Sequence, residues 1–128
     1  MSKAVLDASA ILAILNQEPG SEKLTLDILS DALSSTVNLA EVQARLVNCG
    51  GIPEEAWEDA LSVVRETVPF TEEQARIAGG LVVQTRALGL SLGDRACLAL
   101  GIVLNAPVYT TDRAWKKLKV GIPIHLLR

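Results

Sequence analysis

The chain has few aromatic residues, little sulfur and a single histidine. Of its 128 residues only Trp57, Phe70, Tyr109 and Trp115 are aromatic, so the core must be packed from Leu, Val, Ile and Ala. The two cysteines, Cys49 and Cys97, form no C-x-x-C pair and have no histidine cluster beside them. That argues against a disulfide framework or a zinc site, and both are expected to be buried, reduced thiols. The only histidine, His125, sits in I-P-I-H-L-L and reads as a surface or edge-strand residue, not a catalyst. No apolar stretch is long enough to span a bilayer; Ala8 to Leu15 and Ala99 to Leu104 are the longest, and polar or glycine residues interrupt them. No signal peptide is visible, because M-S-K runs straight into a strand-like A-V-L. Repeats, linkers and low-complexity segments are also missing. The expectation is one cytoplasmic domain over residues 1–128, without a membrane partner.

What is present is apolar. The hydrophobic fraction is 49% and the mean hydropathy +0.31, high enough to suggest an oligomer or a protein partner. Net charge is −3, but its distribution says more than its sum. Residues 1–94 hold 6 basic and 14 acidic side chains, whereas residues 95–128 hold 6 basic and 1 acidic. A basic carboxyl-terminal quarter suits an approaching phosphate backbone; a solvated basic face accounts for it equally well.

Strand-like and helix-like segments alternate. Residues 3–6 read as a strand and 8–16 as a helix broken by Pro19-Gly20. A further helix is expected to open at Ser21-Glu22, with Leu24, Ile28, Leu29 and Leu33 near helical spacing. Ser34 to Val37 is β-prone. Asn38 is expected to cap a helix ending at Gly50-Gly51, and Pro53 to start one running to about Arg65. Thr67 to Phe70 reads as a strand. Thr71 is expected to cap one long helix ending at Gly89, with close packing compensating for Gly79-Gly80 inside it. Ser91 caps a helix from Gly93 to Leu104, V-Y-T is a buried strand, a short basic helix begins at Asp112, and Ile122 to Leu126 is an edge-like strand. This alternation predicts a mostly parallel sheet flanked by helices.

Four carboxylates stand at the handover points: Asp7 in V-L-D-A-S, Glu41 in N-L-A-E, Asp94 in S-L-G-D-R and Asp112 in T-T-D-R-A-W. Each has a plain structural explanation as a helix cap; Glu41 and Asp94 even stand in capping-box spacing to Asn38 and Ser91. Together, however, they fall where an open α/β sheet gathers its ligands. Several carboxylates in one pocket need a counter-charge, and Mg²⁺ or Mn²⁺ suits all-oxygen ligands. The pattern points to metal-dependent chemistry on phosphate esters. Ser9, Thr110 and Thr111 are candidates for orienting the acids or a water, and Arg95 and Arg113 for contacting phosphate.

D-x-S near the start, N-x-x-E near residue 40, G-L-S-L-G-D-R-A at 89–96 and P-V-Y-T-T-D-R-A-W at 107–115 occur in one order over essentially the whole chain. In this the chain resembles the PIN-domain ribonucleases, in particular the VapC-type toxins of bacterial toxin–antitoxin modules. The resemblance implies a PIN-like, Rossmann-like three-layer α/β/α sandwich. It also implies Asp7, Glu41, Asp94 and Asp112 as an acidic quartet holding Mg²⁺ or Mn²⁺, RNA as substrate, a homodimer, and a cognate antitoxin as inhibitor. Many relatives carry a further acid two positions after the last Asp, where this chain has Ala114. Two other acid-based modules fit less well. A receiver domain needs an adjacent acidic pair and a late Lys, where this chain has a lone Asp7 and Thr110-Thr111. A D-x-D phosphatase needs an acid at Ser9. A non-catalytic PIN-like binding scaffold stays open.

Overall fold

The computed structural model describes residues 2–128. Five short strands, β1 (Ala4–Leu6), β2 (Ala32–Ser35), β3 (Glu66–Val68), β4 (Val108–Thr110) and β5 (Ile124–Leu126), form one sheet in the order β3-β2-β1-β4-β5. Every pairing is parallel, with Val5 opposite Leu33 on one side and Val108 on the other. The central strand is buried along its whole length, as parallel strands covered on both faces must be.

Neighbouring residues of a strand serve opposite faces. Leu6 belongs to a core built with α1 (Ala8–Leu15), α3 (Thr36–Asn48) and α4 (Pro53–Val63), and the short α2 (Leu26–Leu29) packs at its margin. Val5 belongs to a second core, built with α7 (Leu92–Leu104) and Leu81, which lies between α5 (Glu72–Gly80) and α6 (Val82–Thr85). The result is a three-layer α/β/α sandwich. The chain runs outward from β1 to β2 and β3, then returns to place β4 on the other side of β1. After β1 it enters α1 in the first layer. After β4 it enters the 3-10 helix Arg113–Lys117, whose Trp115 is buried in the second core. These opposite departures open a crevice at the carboxyl ends of β1 and β4, the switch point where such sheets bind ligands.

Several expectations are corrected. Residues 21–33 are not one helix: a 3-10 turn, Ser21–Lys23, precedes the one-turn α2, and Leu33 lies inside β2. The strand near residue 35 ends at Ser35, and Thr36 and Val37 are already helical. Asn38 does not cap α3. Ser35 does, with extended backbone and a hydroxyl accepting from the Val37 amide at 3.2 Å. The segment 71–89 is not one helix. It breaks at Leu81 into α5, α6 and a 3-10 turn, where two glycines weaken the helix and the Thr85 hydroxyl donates back to the Leu81 carbonyl at 2.9 Å. A Cβ at Gly79 or Gly80 would meet nothing within 4 Å, so close packing is not their compensation. Cys97 is buried as expected, but Cys49, just beyond α3, is exposed; both are free.

Candidate functional site

Asp7 ends β1 and caps α1. Its Oδ1 accepts from the Ala10 amide at 2.8 Å and the Ser9 hydroxyl at 2.7 Å, and its Oδ2 accepts from the Thr110 hydroxyl at 2.6 Å. The carboxylate is only 3% exposed. Burial outweighs these three donors and raises its pKa from 3.8 to about 6; the nearby Asp94 adds a smaller push the same way. The two hydroxyls also reach across to the turn after β4. Ser9 Oγ accepts from the Thr111 amide at 2.9 Å and Thr110 Oγ1 from the Asp112 amide at 3.0 Å. Each hydroxyl thus gives its proton to Asp7 and takes one from the β4 turn. One side chain thereby fixes both lips of the switch-point crevice. Ser9 and Thr110 act through their hydroxyls, while Thr111 contributes its backbone.

Glu41 comes from the second turn of α3. Asn38 Nδ2 donates to Glu41 Oε1 at 2.9 Å and to the Gly93 carbonyl at 3.0 Å, tying α3 to the start of α7. The buried Asn38 Oδ1 has no hydrogen-bond partner among the described residues. The Glu41 carboxyl group lies directly over Gly93, in the space a Cβ would occupy, so any side chain at 93 would push Glu41 aside. Packed in this way, Glu41 has a raised pKa: desolvation is the main cause, the Asn38 bond opposes it, and Asp94 adds to it. Asp94 closes the capping box of α7: Ser91 Oγ accepts from the Asp94 amide at 3.2 Å, and Asp94 Oδ2 accepts from the Ser91 amide at 2.9 Å. Asp112 caps the 3-10 helix through Oδ1, which accepts from the Ala114 amide at 3.0 Å.

All four acids line one cavity of about 450 Å³. Ala8 and Ala44 leave it open, and the amino ends of α1 and α7 meet it with their positive dipole ends. The capping explanation holds for Asp7, Asp94 and Asp112. It fails for Glu41, which stands six residues past the cap of its helix and closes no helix end. Anions at helix starts and metal ligation are compatible, because each carboxylate has more lone pairs than its capping bond uses.

Of the proposed phosphate contacts, neither arginine lines this cavity. Arg95 is folded under α5, donating to the Ala78 carbonyl at 3.0 Å. Arg113 turns to the chain's last residue, donating to the Arg128 carbonyl at 3.3 Å. Arg45 and Asn48 line the cavity instead. They stand four and seven residues after Glu41, on the same face of α3; that i, i+4, i+7 spacing was the available signal. Among the described residues, no group of three His, Cys, Asp or Glu side chains is already arranged to hold a metal ion. The donor set nonetheless fits a hard divalent cation in kind: oxygen ligands only, and a desolvated carboxylate in need of a counter-charge.

The PIN domain family matches residues 4–121. The chain belongs to the PIN domain family. Its PIN fold is shared by a toxin–antitoxin complex from Klebsiella pneumoniae, with a TM-score of 0.76 at 14% identity over 98% of both chains. It is shared by the DNA-bound VapBC of Salmonella typhimurium, with a TM-score of 0.74 at 20% identity over 100% of both chains. Mycobacterium tuberculosis VapC20, a toxin that cleaves the sarcin–ricin loop, aligns with a TM-score of 0.73 at 18% identity over 94% of this chain and 99% of that one. At these identities the likeness is one of fold. No curated protein matches the chain in sequence.

Proposed function

We propose that this PIN domain is a Mg²⁺- or Mn²⁺-dependent endoribonuclease acting in the cytoplasm as the toxin of a toxin–antitoxin pair. The observation that carries the reading is the convergence of Asp7, Glu41, Asp94 and Asp112, from four separate segments, on one cavity at the sheet's switch point. Glu41 weighs most, because no helix cap accounts for it. Asp7 and Asp94 are the principal ligands, with Glu41 and Asp112 completing the set. A divalent ion held by these acids would supply an activated water and polarise the scissile phosphate. The chain's own part is positioning. Ser9 and Thr110 hold Asp7 ionised and oriented, Asn38 holds Glu41 over α7, and Arg45 offers an exposed guanidinium to the phosphate. With Ala114 two positions beyond Asp112, these four acids are the whole carboxylate set of the cavity.

Two apolar surfaces support the proposed protein partners. Leu26 is 86% exposed beside a groove of about 460 Å³ that includes Ile14, Leu15, Leu29 and Val63; a helix or strand of the antitoxin suits it. Val83 at 80% and Leu92 at 53% are exposed, and a Cβ at Gly79 or Gly80 would meet nothing within 4 Å; these suit a second copy of the chain. Among the described residues no helix is long and apolar enough to cross a membrane.

The test is cleavage of labelled total RNA by the purified, antitoxin-free chain with Mg²⁺, Mn²⁺ or EDTA, beside Glu41→Gln. Discrete fragments that need metal and vanish in the variant support the reading. The lack of a preassembled chelate is what a binding scaffold would also show. A folded chain that cuts no RNA even with Mn²⁺, and gains no thermal stability from it, points to that scaffold.

A further inference from the structure

A second cavity, of opposite charge, lies beyond the last acid. It measures about 360 Å³, within the range of ligand-sized cavities, and is lined by Lys23, Arg113, Lys116, Leu126 and Arg128. Four of its five lining residues are cations. Its walls come from three distant parts of the chain, and several contacts clamp them together. Arg128 pairs with Glu18 at 3.0 Å and donates to the Pro19 carbonyl at 2.9 Å, while Arg113 donates to the Arg128 carbonyl. Gly20, with φ +93°, lies so close to the Leu127 carbonyl that no Cβ fits between them. Two of the guanidiniums are therefore held in place by the fold. Lys23 and Lys116 are exposed, and their side chains make no hydrogen bond or ion pair among the described residues.

We propose that this basic cavity is a phosphate subsite that holds the backbone of single-stranded RNA away from the bond being cut. The inference takes RNA as substrate from the function proposed above. Its own support is continuity: Asp112 lines the acidic cavity and the next residue, Arg113, lines the basic one. A single strand can therefore pass from one to the other along the start of the 3-10 helix. The acids attract the divalent ion and repel the backbone elsewhere, and the cations receive the displaced phosphates. An acidic segment of a protein partner is the competing occupant; the shared rim with the acidic cavity favours the strand.

The test measures binding of a fluorescein-labelled, mixed-sequence single-stranded RNA by anisotropy across a salt series, with cleavage blocked by Asp7→Asn. In that background Lys23→Ala with Lys116→Ala is compared with Lys119→Ala, a lysine outside the cavity. Neither cavity lysine bonds to the fold through its side chain, so unchanged thermal melting is expected. We expect affinity to fall about two- to thirty-fold, as for two surface charge contacts. The slope of log K against log salt becomes shallower by about 1.4, the value for two phosphate contacts on a single strand, while Lys119→Ala changes neither. Equal affinity and slope in the double variant overturn the proposal, as does a Lys119→Ala loss of the same size. Lost binding to a polyglutamate peptide with RNA binding intact also overturns it, in favour of the acidic partner. RNA cleavage by the otherwise native chain is read alongside. Cleavage with an unchanged slope sinks the subsite and spares the nuclease; a reduced slope without cleavage does the reverse.

Discussion

Replacing Asp7 by Asn should make the metal-free protein more stable, not less. The buried carboxyl titrates near 6 when folded, against 3.8 as its ordinary value. Between those values the folded chain binds more protons than the unfolded one. Stability from this group is therefore fully present below about pH 3.8 and is lost as pH rises through 6. At about 1.4 kcal/mol per pH unit, the ionised carboxylate costs the fold roughly 3 kcal/mol at pH 7.5. Asparagine keeps the shape and the acceptor for the Ala10 amide without the charge. Unfolding entropy of about 2.1 cal/mol/K per residue converts that energy to a gain of about 10 °C in Tm. The assay is thermal melting in EDTA from pH 4 to 8 for both proteins. The native chain should lose stability relative to Asp7→Asn as pH rises, and the two curves should meet near pH 4. Adding Mn²⁺ should reverse the order at pH 7.5 by stabilising only the native chain, by about 4.1 kcal/mol at a thousand times Kd. A variant less stable than the native chain at pH 7.5 in EDTA, or a gap that does not vary with pH, refutes the argument.

Other substitutions separate the roles of the neighbours. Glu41→Gln should lower RNA cleavage at least about a hundredfold while shifting stability by less than about 0.5 kcal/mol, because no cap or core contact is lost; single-turnover cleavage and a melt check both. Gly93→Ala should displace Glu41 and lower cleavage similarly, although Ala is favoured over Gly in a helix by about 1 kcal/mol. An unchanged rate in that variant would show that the position of Glu41 is immaterial. Thr110→Val removes a bond that stabilises ionised Asp7, so its pKa should rise further and the acid limb of the pH–rate profile should move upward. The unpaired Asp112 amide should cost about 1–3 kcal/mol in the same variant, read by denaturant unfolding. Leu26→Asp should abolish co-purification with the antitoxin and leave cleavage intact; retained binding would move the partner elsewhere.

The sheet and the acids were legible because they rest on strong local signals. Apolar runs of three or four residues end at Asp7 and at Thr110, and Ser91 with Asp94 spells a capping box that the structure forms. What was misread rests on tertiary choices. Asn38 looks like a cap, but Ser35 has the extended backbone a cap needs, and Asn38 is drawn inward to bridge Glu41 and Gly93. Arg95 and Arg113 stand beside acids in sequence, yet helix and turn geometry keep both out of the acidic cavity, sending Arg95 to the Ala78 carbonyl and Arg113 to the Arg128 carbonyl at the edge of the basic one. Arg45, without an acid next to it in sequence, reaches the cavity because one turn of α3 separates it from Glu41. Adjacency in sequence was weighted where periodicity along the helix decided the outcome.

The most direct measurement is a Mn²⁺ titration of the purified chain, following the free-ion signal by electron paramagnetic resonance at pH 7.5, for the native chain, Asp7→Asn and Glu41→Gln. Saturable binding that both substitutions weaken, and that native protein loses as pH falls below about 6, is the predicted result. Absence of saturable binding, or binding indifferent to both substitutions, would contradict the claim that these acids form one metal centre.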